Sequence, residues 1–256
     1  GVPKKLKGTT LTFDYNNIAR VTKLLKSHKD IGAIKMEVER NLKPKKNFLN
    51  KIRKLCNKYN ILLIFDECTS GFRETNGGLH LKYKVNPDIA MFGKALGNGY
   101  AINAIIGTSK VMKYANKTFI SSTFWTERIG PTAALKTLEI MRREKTWKKI
   151  KKIGSSIKFR WLKLSEKHKI PIEIFGLDAL CGFNFKSKKN LHFKTFITQE
   201  MLKKGFLASN IIYVCIEKYF KILDKIFLKI KINFKGNKIN NLLEEKISEK
   251  SFGRLN

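Results

Sequence analysis

Hydrophobic positions along the chain follow two patterns that alternate: a three-to-four-residue repeat and short, nearly unbroken apolar runs. Asn17–His28 sets Ile18, Val21, Leu24, Leu25 and His28 on one face behind an Asn, which predicts a helix capped by Asn17. Ile31–Val38 (IGAIKMEV) reads as a short strand. Phe48, Leu49, Ile52, Leu55, Cys56 and Tyr59 repeat with the helical period, so Asn47–Tyr59 is expected as an amphipathic helix. Ile61–Phe65 (ILLIF) is too short for a helix and too apolar for a half-exposed strand, and is expected to be buried on both faces. Strand, helix, strand makes a βαβ unit, right-handed by default. Two more apolar runs follow, Ile89–Phe92 and Ala101–Ile106. Together they predict an α/β sheet covered on both sides.

Pro131 can open a helix, where its missing N–H does no harm, and that helix continues through Ala134, Leu135 and Leu138 to Met141. Trp147, Ile150, Ile153, Ile157 and Trp161 form a second amphipathic stretch, read as the bridge to another domain. Beyond it, strand-like pieces (Ile170–Ile174, Ala179–Phe185, Ile211–Ile216) alternate with helices near Thr195–Lys204 and Glu217–Ile230, and the last dozen residues are polar. The expected organisation is a large α/β domain over residues 1–145 and a smaller α+β domain over 146–256. No internal repeat is visible.

Composition changes this picture little. The 256 residues are 43% apolar and 11% aromatic, enough for a sizeable core. Residue 1 is Gly rather than Met, which raises the reading of a chain that starts inside a longer one. The formal charge of +33 points to nucleic acid or an anionic surface. Against that, nine of the 53 basic residues are Arg and the other 44 are Lys, spread over the whole length beside abundant Ile, Asn and Phe. A nucleic-acid groove calls for Arg forks and a concentrated stripe, so drift toward AT-rich codons is the favoured explanation. The cysteines at 56, 68, 181 and 215 stand far apart, with no metal-ligand spacing. Cys56 and Cys215 read as small core residues, which suits a reducing cytosol. No apolar run approaches the roughly 20 residues of a membrane span, and no secretory segment opens the chain. A cytoplasmic protein with no membrane association is expected.

Three features point to chemistry. Asp66 and Glu67 directly follow the ILLIF strand, and in an open α/β sheet ligands bind beyond the carboxyl ends of the strands. A solvated strand-end acid or a helix cap would look the same. Lys94 lies in PDIAMFGKALGNG (Pro87–Gly99), directly after another apolar strand and among Gly93, Gly97 and Gly99. One more Lys among 44 means nothing by itself; its setting singles it out, because glycines let backbone and ligand approach closely. Burial and a positive neighbour would make its amine nucleophilic. Finally, an amine that condenses with an aldehyde cofactor needs an electron sink, which pyridoxal 5'-phosphate (PLP) supplies when an acid keeps its ring nitrogen protonated. Lys94 and Asp66 have that chemistry.

These residues carry a resemblance. DECTSGFR (Asp66–Arg73) followed by PDIAMFGKALGNGYAINAIIG (Pro87–Gly107) resembles the signature of the class III, fold-type I, PLP-dependent aminotransferases, and the 28-residue interval from Asp66 to Lys94 fits that family. IGAIKMEVERN (Ile31–Asn41), SSTFWTERIGPTAALKTLEIM (Ser121–Met141) and QEMLKKGFLASNIIYV (Gln199–Val214) are similar to further family segments. The likeness covers nearly the whole chain and leans to the glutamate-1-semialdehyde aminomutase-like branch.

The resemblance implies a fold-type I large domain with a mostly parallel sheet and flanking helices, incomplete at its N-terminus, and a small C-terminal α+β domain. It implies a transaminase or aminomutase acting on an amino donor and a carbonyl acceptor as a homodimer. Lys94 would form the Schiff base (internal aldimine) and shuttle protons, and Asp66 would pair with the pyridine nitrogen. Cys68 would pack on one ring face, where the family has Val or Ile. Glu37 would lie near the substrate or anchor a loop. Thr126 or Thr123 would reach the phosphate, usually of the partner subunit; Thr126 keeps the family's distance to Pro131, and Thr123 fits the Ser-Thr-Phe text. Departures stand beside this. The family's earlier Gly-Ser/Thr phosphate turn and ring-stacking aromatic have no counterpart here. Met36-Glu37-Val38 lacks the family's Pro, and Arg73 is as readily structural as substrate-binding. A non-catalytic remnant and a nucleic-acid binder are the other readings. A folded chain that takes up no PLP would favour the first. Tight binding at physiological salt would favour the second.

Overall fold

A computed structural model of the chain describes residues 3–120, 123, 126–216, 227, 230–231, 237–244 and 246–247. Contacts divide it into two compact units, Gly1–Lys145 and Thr146–Asn256.

In the first unit, helix α1 (Ile18–Ser27) opens on Asn17, whose side chain accepts the Arg20 N–H at 3.0 Å. Asparagine there satisfies a backbone donor the helix cannot pair internally. Strand β1 (Ala33–Glu37) leads to α2 (Phe48–Tyr59), and Asn60, at φ 51°, ends that helix in the left-handed conformation that Asn tolerates. Strand β2 (Leu62–Asp66), the four-residue helix α3 (His80–Tyr83), β3 (Ile89–Phe92), β4 (Ala104–Gly107), the short α4 (Ser109–Met112) and α5 (Ile129–Glu144) follow. The sheet order is β1-β2-β3-β4, parallel except for the antiparallel β3–β4 pair. The βαβ unit read from the sequence is therefore present. Pro131 falls in the first turn of α5 as expected.

Two expectations change. β2 alternates, with Leu63 and Phe65 fully buried and Leu62, Ile64 and Asp66 only partly so; one of its faces carries the core and the other is half-covered. β4 begins at Ala104, later than expected, and Ile105 and Ile106 are 57% and 56% exposed. An apolar run at a sheet margin looks the same in sequence as a central one, so covering on both sides does not follow from composition.

The second unit holds α6 (Thr146–His168), β5 (Ile172–Leu177), β6 (Leu180–Phe185), α7 (Asn190–Lys203) and β7 (Ile211–Tyr213). Its sheet is antiparallel, in the order β5-β6-β7. Trp161 and Phe183 meet edge to face with centroids 4.9 Å apart in a core that includes Ile170, Phe193 and Ile197. β5 runs three residues beyond its expected end, through Gly176 at φ 80°; a Gly inside a run reads as a stop although a strand can continue through it. α7 starts five residues early, its opening Asn190 accepting the Phe185 N–H at 2.8 Å. Cys215 is exposed rather than core, because β7 ends at Tyr213 and Val214 takes the inward position. Cys56 is fully buried. Of the expected helix Glu217–Ile230, residues 217–226, 228 and 229 lie outside the described residues.

Candidate active site

The parallel pairs bring Glu37, Asp66 and Met91 into register at the carboxyl ends of β1, β2 and β3. Such ends are where open α/β sheets present groups to ligands. Chain direction then separates two adjacent acids.

Glu67 turns inward. Its fully buried carboxylate accepts the Ser70 hydroxyl at 2.5 Å and both the N–H and Nδ1 of His80 at 2.9 Å. Burial pushes this acid up, but the bonds from His80 and Ser70 outweigh it and hold it below the usual glutamate range. Glu67 is thus the anchor of the loop from Cys68 to His80.

Asp66 turns outward and is about a quarter exposed. Its Oδ1 accepts the Cys68 N–H at 3.1 Å, and its Oδ2 lies 2.9 Å from Lys35 Nζ. Burial raises this carboxyl, and the bonds from Lys35 and Cys68 bring it below the ordinary aspartate value. Cys68 is pushed the other way, first by burial and then by Asp66, so the thiol stays protonated at neutral pH.

Lys94 opens a 3-10 turn two residues beyond β3, at φ 44°. A non-Gly residue at positive φ is a locally strained choice, of the kind that gathers at functional sites. Its Nζ donates to the buried Thr69 hydroxyl at 2.6 Å, and its charge acts on Cys68. Arg73 Nε donates to the Thr69 carbonyl at 2.6 Å, so Arg73 helps hold the loop that receives Lys94. The preceding Gly93 lies close under this cluster: a Cβ there would come within 2.4 Å of Asn103 Oδ1, the tip of an exposed side chain that could swing aside, and into ordinary contact with Cys68 Sγ at 3.5 Å. Lys94 itself is exposed, contrary to the expected buried amine, because the turn lifts it off the sheet end.

The structure thus brings Lys94, Cys68 and Asp66 together around the 66–69 loop. Glu37 stands opposite Asp66 in register, with Arg40 Nη1 3.2 Å from its carboxylate. Thr123 and Thr126 are exposed ahead of α5, and among the described residues neither is hydrogen-bonded to the cluster. Sequence reading missed Thr69 and Lys35. The signal for Lys35 was present: it is the sole charge in Ile31–Met36 and lies two residues before Glu37, hence on the same strand face.

A mostly parallel sheet with candidate polar groups beyond the carboxyl ends of neighbouring strands is the setting in which open α/β folds place ligands. The class-III aminotransferase family profile matches residues 22–220. A 3-aminobutyryl-CoA aminotransferase of Cloacimonas acidaminovorans (strain Evry) is 34% identical over 210 residues, covering 78% of this chain and 50% of that protein. A glutamate-1-semialdehyde 2,1-aminomutase of Sulfurihydrogenibium sp. (strain YO3AOP1) is 27% identical over 211 residues, 79% of this chain and 49% of the other. Among solved structures, the PLP internal aldimine form of the FumI protein of Sphingopyxis sp. MTA144 superposes with a TM-score of 0.82 at 20% identity, covering 91% of this chain and 60% of that one. An omega-transaminase from Sphaerobacter thermophilus gives 0.77 at 19% identity, over 92% and 60%. The chain belongs to the class-III aminotransferase family and has its fold. It spans about half the length of the curated relatives it matches.

Proposed function

We propose that the chain forms part of a PLP-dependent transaminase or aminomutase that moves an amino group between an amino donor and a carbonyl acceptor. The observation that carries this is the convergence of Lys94, Cys68 and Asp66 on one loop at the carboxyl ends of β2 and β3. When bound, the cofactor supplies the electron sink for chemistry at the substrate's α-carbon. The residues fit it. Lys94 offers the amine for covalent attachment and afterwards carries protons. Asp66, kept ionised, offers its carboxylate to a protonated ring nitrogen. Cys68, kept neutral, presents a small uncharged surface to the ring face. Thr69 orients the Lys94 amine. Glu37 stands on the substrate side, and Thr126 or Thr123 serves the phosphate, across a homodimer interface as the family resemblance implies. The first unit is assigned to the large cofactor-binding domain and the second to the small C-terminal domain, in a cytoplasmic protein; among the described residues no helix is long and apolar enough to cross a membrane.

Borohydride reduction in the presence of PLP, followed by peptide mapping, should place the cofactor on Lys94. A label on another lysine, or none with cofactor bound, would overturn the assignment. The half-length coverage of relatives supports a second reading, in which a chain of this extent holds cofactor only together with a complementary section of the family's fold. A folded sample that takes up PLP only after that section is added would favour it.

A further inference from the structure

The acid assigned to the cofactor already has a tenant. Both carboxylate oxygens of Asp66 are engaged, Oδ1 by the Cys68 N–H at 3.1 Å and Oδ2 by Lys35 Nζ at 2.9 Å. The first bond belongs to the loop backbone. The second comes from a side chain that is 55% exposed and free to swing into water, against 24% for Asp66. Lys35 reaches Asp66 because Glu37, two residues on and on the same strand face, is its register partner. A protonated ring nitrogen needs the same oxygen and carries the same sign of charge as Lys35, so the two compete for position and repel each other.

We propose that Lys35 is a displaceable partner of the cofactor's acid, competing with the ring nitrogen for Asp66 and yielding the carboxylate when that nitrogen arrives. The inference rests on the PLP-site reading above. It makes Lys35 a residue that sets cofactor affinity without touching the reacting atoms.

The test is equilibrium binding of PLP to the wild-type chain and to Lys35→Met, Lys35→Arg and Lys26→Met. Lys26 is an exposed residue of α1 and controls for the loss of one positive charge. Lys35→Met should bind PLP about two- to fivefold more tightly, the scale of one partly exposed ion pair, while the other two variants gain nothing. The gain should shrink as salt rises. It should vanish with a phosphorylated salicylaldehyde, which keeps aldehyde and phosphate but has no ring nitrogen. Equal or weaker PLP binding by Lys35→Met, an equal gain in Lys26→Met, or a full gain with the nitrogen-free probe would each overturn the proposal while leaving the site reading intact. Where the chains alone take up no PLP the same comparison is made with the complementary section of the family's fold added, and binding of PLP by none of the four chains in that setting would instead overturn the site reading, and this proposal with it.

Discussion

Two neighbouring carboxylates, Asp66 and Glu67, have opposite fates because consecutive strand residues face opposite ways. Asp66 points to solvent and cations, while Glu67 is enclosed by Ser70 and His80. Replacing Glu67 by Gln should cost about 1–3 kcal/mol at pH 7, since an amide cannot accept all of those donors at once. The acid is depressed in the folded chain, so its contribution is complete above its ordinary value of 4.5 and fades as pH falls below that. Urea unfolding of the two chains should therefore differ most near neutrality and converge in acid. In sequence, Asp66 and Lys94 stand out by their strand-end setting and Cys68 only through the family resemblance of DECTSGFR; the structure sets all three around one loop. Which of the two acids faces outward was not legible, since it depends on His80, thirteen residues away. Lys35 and Thr69 escaped notice for a related reason: their roles arise from cross-strand register and from a loop folding back on itself.

Element by element, the chain's punctuation is what separates legible from hidden. β3 runs over Ile89–Phe92, the same residues its apolar run marks, and α1 keeps the Asn17 cap read from the sequence. α6 is legible as an amphipathic helix, but its tightest constraint is not. A Cβ at Gly154 would fall 1.7 Å from the backbone oxygen of Asp178, in the turn joining β5 to β6. Lys158, one helical turn further on, clasps the same turn through Asp178 Oδ1 at 3.0 Å and the Gly176 carbonyl at 2.7 Å. Gly154→Ala would ordinarily favour a helix by about 1 kcal/mol. Here backbone meets backbone, and the helix must move away from the turn. The expected outcome is a net loss of about 2 kcal/mol or more, read by chemical denaturation. A gain in stability would show that the close approach is not maintained in solution.

At the scale of the whole molecule, a charge of +33 and two compact units frame what the chain does in solution. The lysines that suggest a polyanion partner are dispersed, and Lys35 and Lys94 act on single side chains at short range. Global charge does not report on either. The margin of the first sheet has a larger effect. β4 is the last strand in its order among the described residues, and it shows Ile105 and Ile106 to water. A bare apolar margin of this kind templates the addition of another strand. Light scattering from concentrated solutions of this chain should grow with time despite the mutual repulsion of so many cations, and Ile105→Lys should suppress that growth while leaving unfolding little changed. Handling this protein at the bench then becomes a matter of guarding one strand: whatever caps β4, whether further polypeptide or a designed peptide, should keep the chain monodisperse.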